Sequence, residues 1–554
     1  MSRKRRKNPE IYPDEIFLDS KNIPEFNTQQ FEGRIERPIS KKTFHFLSLF
    51  LCVAAVSLFF KIFYIQIVTG ETLTKRAEKN SLIREVIMPP RANIVDRNGI
   101  KIAWDDNQKR TYVSSGFSNL LGYIGLPSSE DLKNNKNMPM HISIGKEGLE
   151  KKYENSLKGT VGIKLMEKDS QGDIISESVY ANPVKADDFK LAIDSRIQEQ
   201  LFKVFDSAVR DWSYQGAAGV VLDINNGEVI ALVNWPEYDS QVLSNGGPAE
   251  KIKKFFEDKR KPFLNRAVSG LYAPGSIIKP FVALAALNEG TIFPEKQILS
   301  AGSISIPNPF FPDKKSVFND WKIHGWVDMR EALAVSSDVY FYHIGGGYGD
   351  VKGIGINKIE EYAKKFGLDS KTGIDLNGEL SGSVPNENTK IKTNPEDPIW
   401  RIGDTYNASI GQGYFHVTPI EIAVYTAALA NGGKIIQPHL VLNNEPPKIL
   451  SQVEIPEKYF KIVQEGMRMA VMEGTATALN LPNVSTAAKT GTAEVGAAKK
   501  YINSWIIGFF PYENPKYAFT VVLEKGPYSN TVGAPYVMRQ VLDWISVYAP
   551  KYLK

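Results

Sequence analysis

Cysteine is all but missing: Cys52 is the only one in 554 residues, which excludes an intramolecular disulfide and a cysteine-ligated metal site. Histidine is scarce too. The six (His45, His141, His324, His343, His416 and His439) never fall in the His-x-x-x-His spacing of a zinc hydrolase, and no metal or cofactor is expected. The glycine run Gly345-Gly346-Gly347-Tyr348-Gly349 lacks the Lys-Ser/Thr that completes a phosphate loop, and reads as a helix stop. An excess of one charge is also absent. The formal net charge is +5 and the basic residues are scattered, which argues against nucleic acid as a partner. No segment is of low complexity, and 42% hydrophobic with 23% charged residues is the balance of a folded protein. At this length several modules are expected, held by packing alone.

One long apolar run is present. Phe44 to Phe60 is almost purely apolar and continues more weakly to Val68, about the length that crosses a bilayer as a helix. Lys41 and Lys42 precede it, and Arg3, Lys4, Arg5, Arg6 and Lys7 lie further upstream. The positive-inside bias then puts residues 1–42 in the cytoplasm and the rest of the chain outside. A cleaved signal peptide is the bland alternative, but no small-residue cleavage pattern follows the run and the tail before it is long.

The expected organisation is a basic tail (1–42), an anchor (43–68), an extended non-catalytic pedestal (69–190) and a catalytic module (191–554). In the pedestal, Arg91 to Gly99 ends in Asn98-Gly99 before apolar Ile100 to Trp104, a hairpin signature, and Gly148 to Gly159 reads as one short helix. In the last module a helix is predicted over 195–211, and strands over 217–223 and 228–233 flank Asn225-Asn226-Gly227. Further strands over 505–510 and 518–523 precede a helix over 537–547. Strands from both ends with a helix-rich middle give an α+β fold, a central antiparallel sheet flanked by helices.

The strongest chemical signal is Tyr272-Ala273-Pro274-Gly275-Ser276-Ile277-Ile278-Lys279-Pro280, a Pro-Gly turn running into a helix. Ser276 is placed to open that helix, where the dipole favours a developing alkoxide, with Lys279 on the same face as its base. Ser-x-x-Lys alone is weak, and Ser143 with Lys146 repeats it by chance. What singles out Ser276 is that Ser336-Ser337-Asp338 and Lys489-Thr490-Gly491-Thr492 follow, in the order of the serine penicillin-recognising enzymes. Lys371-Thr372-Gly373 also spells the third element but sits in a loop after a helix, whereas Lys489 lies among small residues ahead of two strands. A peptide adding to a sheet edge needs the second setting. The chemistry read from these parts is acyl transfer: Ser276 attacks a peptide carbonyl, Lys279 takes its proton, and Ser336 and Lys489 relay it to the leaving amine. Backbone N–H groups of Ser276 and Thr492 form an oxyanion hole, the hydroxyls of Thr490 and Thr492 with Lys489 nearby hold a substrate carboxylate, and Gly491 allows close backbone approach of the substrate. For Asp338 three roles stay open: anchoring Lys279, contacting the donor peptide, or capping a helix.

With these elements the chain resembles the class B penicillin-binding proteins. Asp320-Trp321-Lys322 with Gly325, the Ser336-x-Asp338 form, and Tyr406-Asn407-Ala408-Ser409-Ile410-Gly411-Gln412-Gly413-Tyr414 are similar to the elongation branch, the penicillin-binding protein 2 type. Arg91 to Gly99 looks like the family's pedestal motif, with Ala92 where glycine is usual. The resemblance implies a peptidoglycan D,D-transpeptidase: a D-Ala-D-Ala stem peptide as donor, loss of D-Ala, and covalent inhibition by β-lactams. It also implies a separate glycosyltransferase partner of the shape, elongation, division and sporulation family (SEDS), with other elongation-complex proteins. The competing readings are a division-type transpeptidase, a membrane-anchored serine β-lactamase or β-lactam sensor, and an inactive scaffold.

Overall fold

The computed structural model describes residues 40–553 apart from 107–108, 135–139, 170, 172, 309, 312 and 497–499, and leaves out the side chains of 77–81. The basic run Arg3 to Lys7 lies outside the described residues. Helix α1 (Lys41–Phe63) starts at Ser40, whose Oγ accepts from the Thr43 N–H at 3.3 Å, and continues through one wide turn, Tyr64–Val68. Its large apolar residues stay exposed, Phe46 at 72% and Phe59 at 67%. The 28-residue stretch Lys41–Val68 is long and apolar enough to cross a membrane, about 42 Å at helical rise.

The described chain forms two units: one takes in the chain up to Glu85 with Leu165–Ser178, and the other Val86–Lys164 with Val179–Lys554. The first carries α1 and the greater part of a three-stranded sheet, Leu82–Ile87, Gly162–Lys168 and Ile174–Ala181, paired in that order.

In the second unit the Asn98-Gly99 turn joins Ile94–Val95 to Lys101–Asp106 as an antiparallel pair, as the hairpin signature predicts. Gly99 takes φ +83°, which L side chains rarely adopt. Ala92 is fully buried and its N–H donates to Leu157 O at 2.8 Å, so alanine is accommodated where the pedestal motif usually has glycine. Asp96 accepts from the N–H groups of Asn98 and Ile100 and from the N–H and hydroxyl of Ser195, tying the turn to the first helix of the catalytic module. The stretch expected as one helix over 148–159 is two, Gly148–Lys152 and Glu154–Leu157. Tyr153 breaks it because its ring packs on Phe189 and its hydroxyl donates to Asp375 at 2.9 Å, a tertiary anchor that periodicity does not reveal.

Helix α2 (Ser195–Trp212) leads into strands β1 (Gly216–Asp223) and β2 (Val229–Trp235). The helix-rich middle supplies α3 (Lys279–Asn288), α4 (Met329–Val335), α5 (Asp338–Gly346), α6 (Pro419–Ala430) and α7 (Glu457–Met472). Strands β3 (Ala487–Val495), β4 (Tyr501–Phe510) and β5 (Tyr517–Pro527) and helix α8 (Ala534–Tyr548) complete the module. The sheet order is β2-β1-β5-β4-β3, with every pairing antiparallel, so strands from the two ends of the module meet at β1 and β5.

Both sheet faces are covered. Ala217, Val221, Phe519, Val521 and Leu523 pack with α2 and α8, while Ala218, Val220, Leu222, Trp505 and Ile507 pack with α3 and α6. The period-2 alternation of a strand puts neighbours on opposite faces, and two helical layers make both faces core. This is the α+β fold the sequence predicts, and it leaves β3 as an edge strand.

Candidate active site

Three elements converge beside β3. The first is the turn Pro274-Gly275-Ser276. Ser276 lies in a short 3-10 turn, Gly275–Ile278, and the α-helix begins only at Lys279. The expectation that Ser276 opens the helix is off by one tight turn. Pro280, which has no N–H to give, fits within the first turn of the α-helix proper.

Glycines bring this turn onto the strand. Gly275 has φ +59°, and a Cβ there would stand 2.7 Å from Thr492 O; a Cβ on Gly491 would stand 2.8 Å from Ile277 Cγ2 and 3.0 Å from Pro274 O. The two backbones are therefore in direct apposition, with Ser276 and Thr492 side by side. The motif Tyr406 to Tyr414 braces them from behind: the Gly275 N–H donates to Gly411 O at 2.9 Å, and Gln412 Nε2 donates to Thr492 O at 3.4 Å. Trp505 of β4 donates from Nε1 to Ala273 O at 3.1 Å.

The second element is the junction of α4 and α5. Ser336 ends α4 with φ +60°, one of only four non-glycine residues with positive φ among the described residues. Such a conformation is costly for a side chain with a Cβ and is held only where the surroundings over-determine it. The surroundings here are two buried lysines. Lys279 Nζ donates to Ser336 O (2.8 Å), Ser336 Oγ (3.3 Å) and Asp338 Oδ1 (2.6 Å). Lys489 Nζ donates to Ser336 Oγ (2.7 Å) and Thr490 O (2.9 Å). Of the three roles left open for Asp338, the observed contact is the one with Lys279.

The third element is β3 itself. Lys489 is fully buried, Thr490 is half-buried with its hydroxyl 2.7 Å from that of Thr475, and Thr492 is exposed. Burial pushes the Lys489 ammonium well below its ordinary range; the charge of Lys279 adds to this and that of Asp338 opposes it.

Ser276, Ser336, Asp338, Thr490, Gly491 and Thr492 line one cleft of about 720 Å³, which Trp321, Thr475, Trp505 and the segment 530–533 also line. All eight residues singled out from the sequence are thus brought to one place, with Lys279 and Lys489 buried beneath it. The two look-alikes are elsewhere. Lys146 pairs with Asp131 at 2.6 Å. Lys371 is exposed in its loop, where the neighbouring Thr372 donates from its N–H and hydroxyl to Glu379, both at 2.6 Å. Sequence reasoning does not assign Thr475 and Trp505 to the site, since each reaches it from a separate segment with no local pattern, and it reads Gln412 only as part of the Tyr406–Tyr414 motif. No group of three or more His, Cys, Asp or Glu side chains among the described residues is placed to hold a metal.

Known proteins resemble this chain over most of its length. Residues 217–543 match the penicillin binding protein transpeptidase domain, and 96–191 the penicillin-binding protein dimerisation domain. The peptidoglycan D,D-transpeptidase MrdA of Salmonella typhimurium is 31% identical over 500 residues, 84% of this chain and 77% of its own length. The structure of Pseudomonas aeruginosa PBP2 in complex with WCK 5153 aligns with a TM-score of 0.71 at 31% identity, over 85% of this chain and 98% of that one. Helicobacter pylori PBP2 in its complex with MreC aligns with the same TM-score at 27% identity, over 84% and 98%. The chain belongs to the penicillin-binding protein transpeptidase family, as a membrane-anchored, elongation-type peptidoglycan D,D-transpeptidase.

Proposed function

We propose that Ser276 is the nucleophile that takes the acyl group of a D-Ala-D-Ala stem peptide, and that the lysine pair around Ser336 moves its proton. The observation that carries this reading is Ser336 Oγ lying between two buried amines, 3.3 Å from Lys279 Nζ and 2.7 Å from Lys489 Nζ, in the cleft that Ser276 lines. As the Ser276 oxygen bonds to the carbonyl carbon and the bond from that carbon to the D-alanine nitrogen breaks, Lys279 passes a proton through Ser336 and Lys489 to the departing nitrogen and takes the Ser276 proton in its place. Backbone N–H groups of Ser276 and Thr492, in apposition through Gly275 and Gly491, stabilise the oxyanion. Thr490, Gly491 and Thr492 bind the terminal carboxylate, and the donor peptide lies along the free edge of β3. An amine of a neighbouring stem then attacks the acyl-enzyme, and the bond to Ser276 breaks. Incubation with a pentapeptide-bearing glycan polymer tests this: D-Ala release matched by new cross-links is expected. Rapid hydrolysis of penicillin with no D-Ala release would instead make the protein a β-lactamase.

The pH dependence follows from Lys489. An amine relays protons only above its pKa, so acylation is expected to fall as pH drops through the depressed Lys489 value. Asp338 favours the protonated form, so Asp338→Asn is expected to move that acid limb to lower pH. A pH profile of penicillin acylation checks it; a limb moved upward contradicts the assignment.

For topology, the reading is a cytoplasmic tail (1–42), an anchor (43–68), a pedestal (69–190) and an outward-facing catalytic module (191–554), supported by Lys41 and Lys42 at the start of α1 and by the basic run Arg3 to Lys7. Protease added to spheroplasts is expected to destroy the catalytic module and spare an N-terminal tag; the reverse pattern would refute the orientation. As partners we infer a SEDS-family glycosyltransferase and further elongation-complex proteins, in keeping with the MreC complex of the Helicobacter pylori relative.

A further inference from the structure

The motif Asp320-Trp321-Lys322 has no part in the chemistry above, yet its first residue lies directly behind it. The Asp320 side chain is fully buried. Its Oδ2 accepts from the Ser337 hydroxyl (2.8 Å), the Ser300 hydroxyl (3.0 Å) and the Val339 N–H (2.9 Å). Its Oδ1 accepts from the Trp321 N–H at 2.8 Å and stands 3.5 Å from His324 Nε2, within ion-pair range but without a hydrogen bond. Burial disfavours the charged carboxyl, but the N–H groups of Val339 and Asp338 and the charge of Lys279 outweigh it and hold Asp320 below the ordinary carboxylate range. Asp320 is therefore a buried carboxylate with both oxygens accepting, and two of its four bonds come from a single turn, 337–339.

That turn is the one holding Ser336 and Asp338. Ser337 and Val339 are the residues immediately following them, so Asp320 grips the chain at alternate positions while the functional side chains at 336 and 338 are left to meet the lysines. The left-handed backbone at Ser336 needs such a restraint, since nothing in a free chain would hold φ at +60° there. The same carboxylate bonds the N–H of Trp321, whose side chain lines the cleft and is 59% exposed. We propose that Asp320 is a positioning residue: by clamping the 337–339 backbone it sets the register of Ser336 and Asp338 against Lys279 and Lys489, and with it the acylation rate, without touching substrate.

The inference rests on the roles proposed for Ser336 and Asp338. Stopped-flow reaction of the full chain with a fluorescent penicillin separates the dissociation constant of the first complex from the rate constant of acylation. Asp320→Asn keeps the shape but loses the charge and offers a donor where only acceptors are wanted. It is expected to lower the acylation constant by at least about tenfold while the dissociation constant stays within about threefold, the signature of a displaced reacting group. Loss of folded protein would instead reduce the titratable fraction and leave both constants of the remainder unchanged. Ser337→Ala removes one of the Asp320 bonds, together with the Ser337 contacts to Ser300 and the Tyr340 N–H, and serves where Asp320→Asn does not fold; a smaller drop in the same constant is expected. The double variant is expected to acylate no more slowly than Asp320→Asn alone, because the two changes cut one linkage. An unchanged acylation constant in folded Asp320→Asn or in Ser337→Ala, or fully additive losses, would overturn the proposal. Absence of any adduct in the unsubstituted protein would instead overturn the reading of Ser276.

Discussion

Ser276→Ala is expected to form no covalent adduct with a fluorescent penicillin while keeping its fold. Alanine removes one oxygen from a half-buried position, and among the described residues no hydrogen bond of the Ser276 hydroxyl holds the surrounding turn together. The turn is kept by other contacts: Gly275 to Gly411, Trp505 to Ala273, and the packing of Gly491 on Ile277. The loss of a single hydroxyl that anchors no neighbour is expected to change stability by about 1 kcal/mol or less. Covalent chemistry has no such reserve, because the bond to the acyl carbon is made by the oxygen that is gone. Peptide mapping of the adduct in the unsubstituted protein is expected to return the segment holding Ser276. An adduct retained in Ser276→Ala, or mapped to Ser143, would end the assignment.

Lys489→Ala and Lys371→Ala are expected to part company by two orders of magnitude or more, although each begins a Lys-Thr-Gly. Lys489 Nζ is 2.7 Å from Ser336 Oγ, where burial disfavours its charged form, so its loss breaks the proton path. Removing such a group costs on the order of a hundredfold or more in rate, roughly 3 kcal/mol of barrier. Folding is expected to survive, since burying an amine beside Lys279 is itself unfavourable and alanine relieves that cost. Lys371 is an exposed loop charge, and its variant is expected to acylate at the unsubstituted rate. Second-order acylation constants of the two purified proteins decide this; equal constants would place the third element on the wrong segment.

Much of this molecule is legible from local patterns. The apolar span, the helices at 195–212 and 534–548 and the strands at both ends of the module emerge where alternation or helical period is uninterrupted. The pattern fails where a single residue answers to a distant partner. Tyr153 splits a predicted helix to reach Asp375, and Ser276 sits in a 3-10 turn because the backbone must come within contact of Gly491 and Thr492.

The sequence by itself determined the presence and order of Ser276-x-x-Lys279, Ser336-x-Asp338 and Lys489-Thr490-Gly491, because each is a run of a few residues that can be read without the fold. It did not determine the depth at which the lysines lie. Lys279 meets Ser336 across 57 positions and Lys489 meets it across 153, and only the closed sheet with its helical layers brings such separations to hydrogen-bond distance. The same closure distinguishes the buried Lys489 from the solvated Lys371, places Thr475 and Trp505 at the cleft, and sets Asp320 behind Ser337. Protonation and positioning follow burial and neighbouring charge, and those belong to the folded chain rather than to any segment of it.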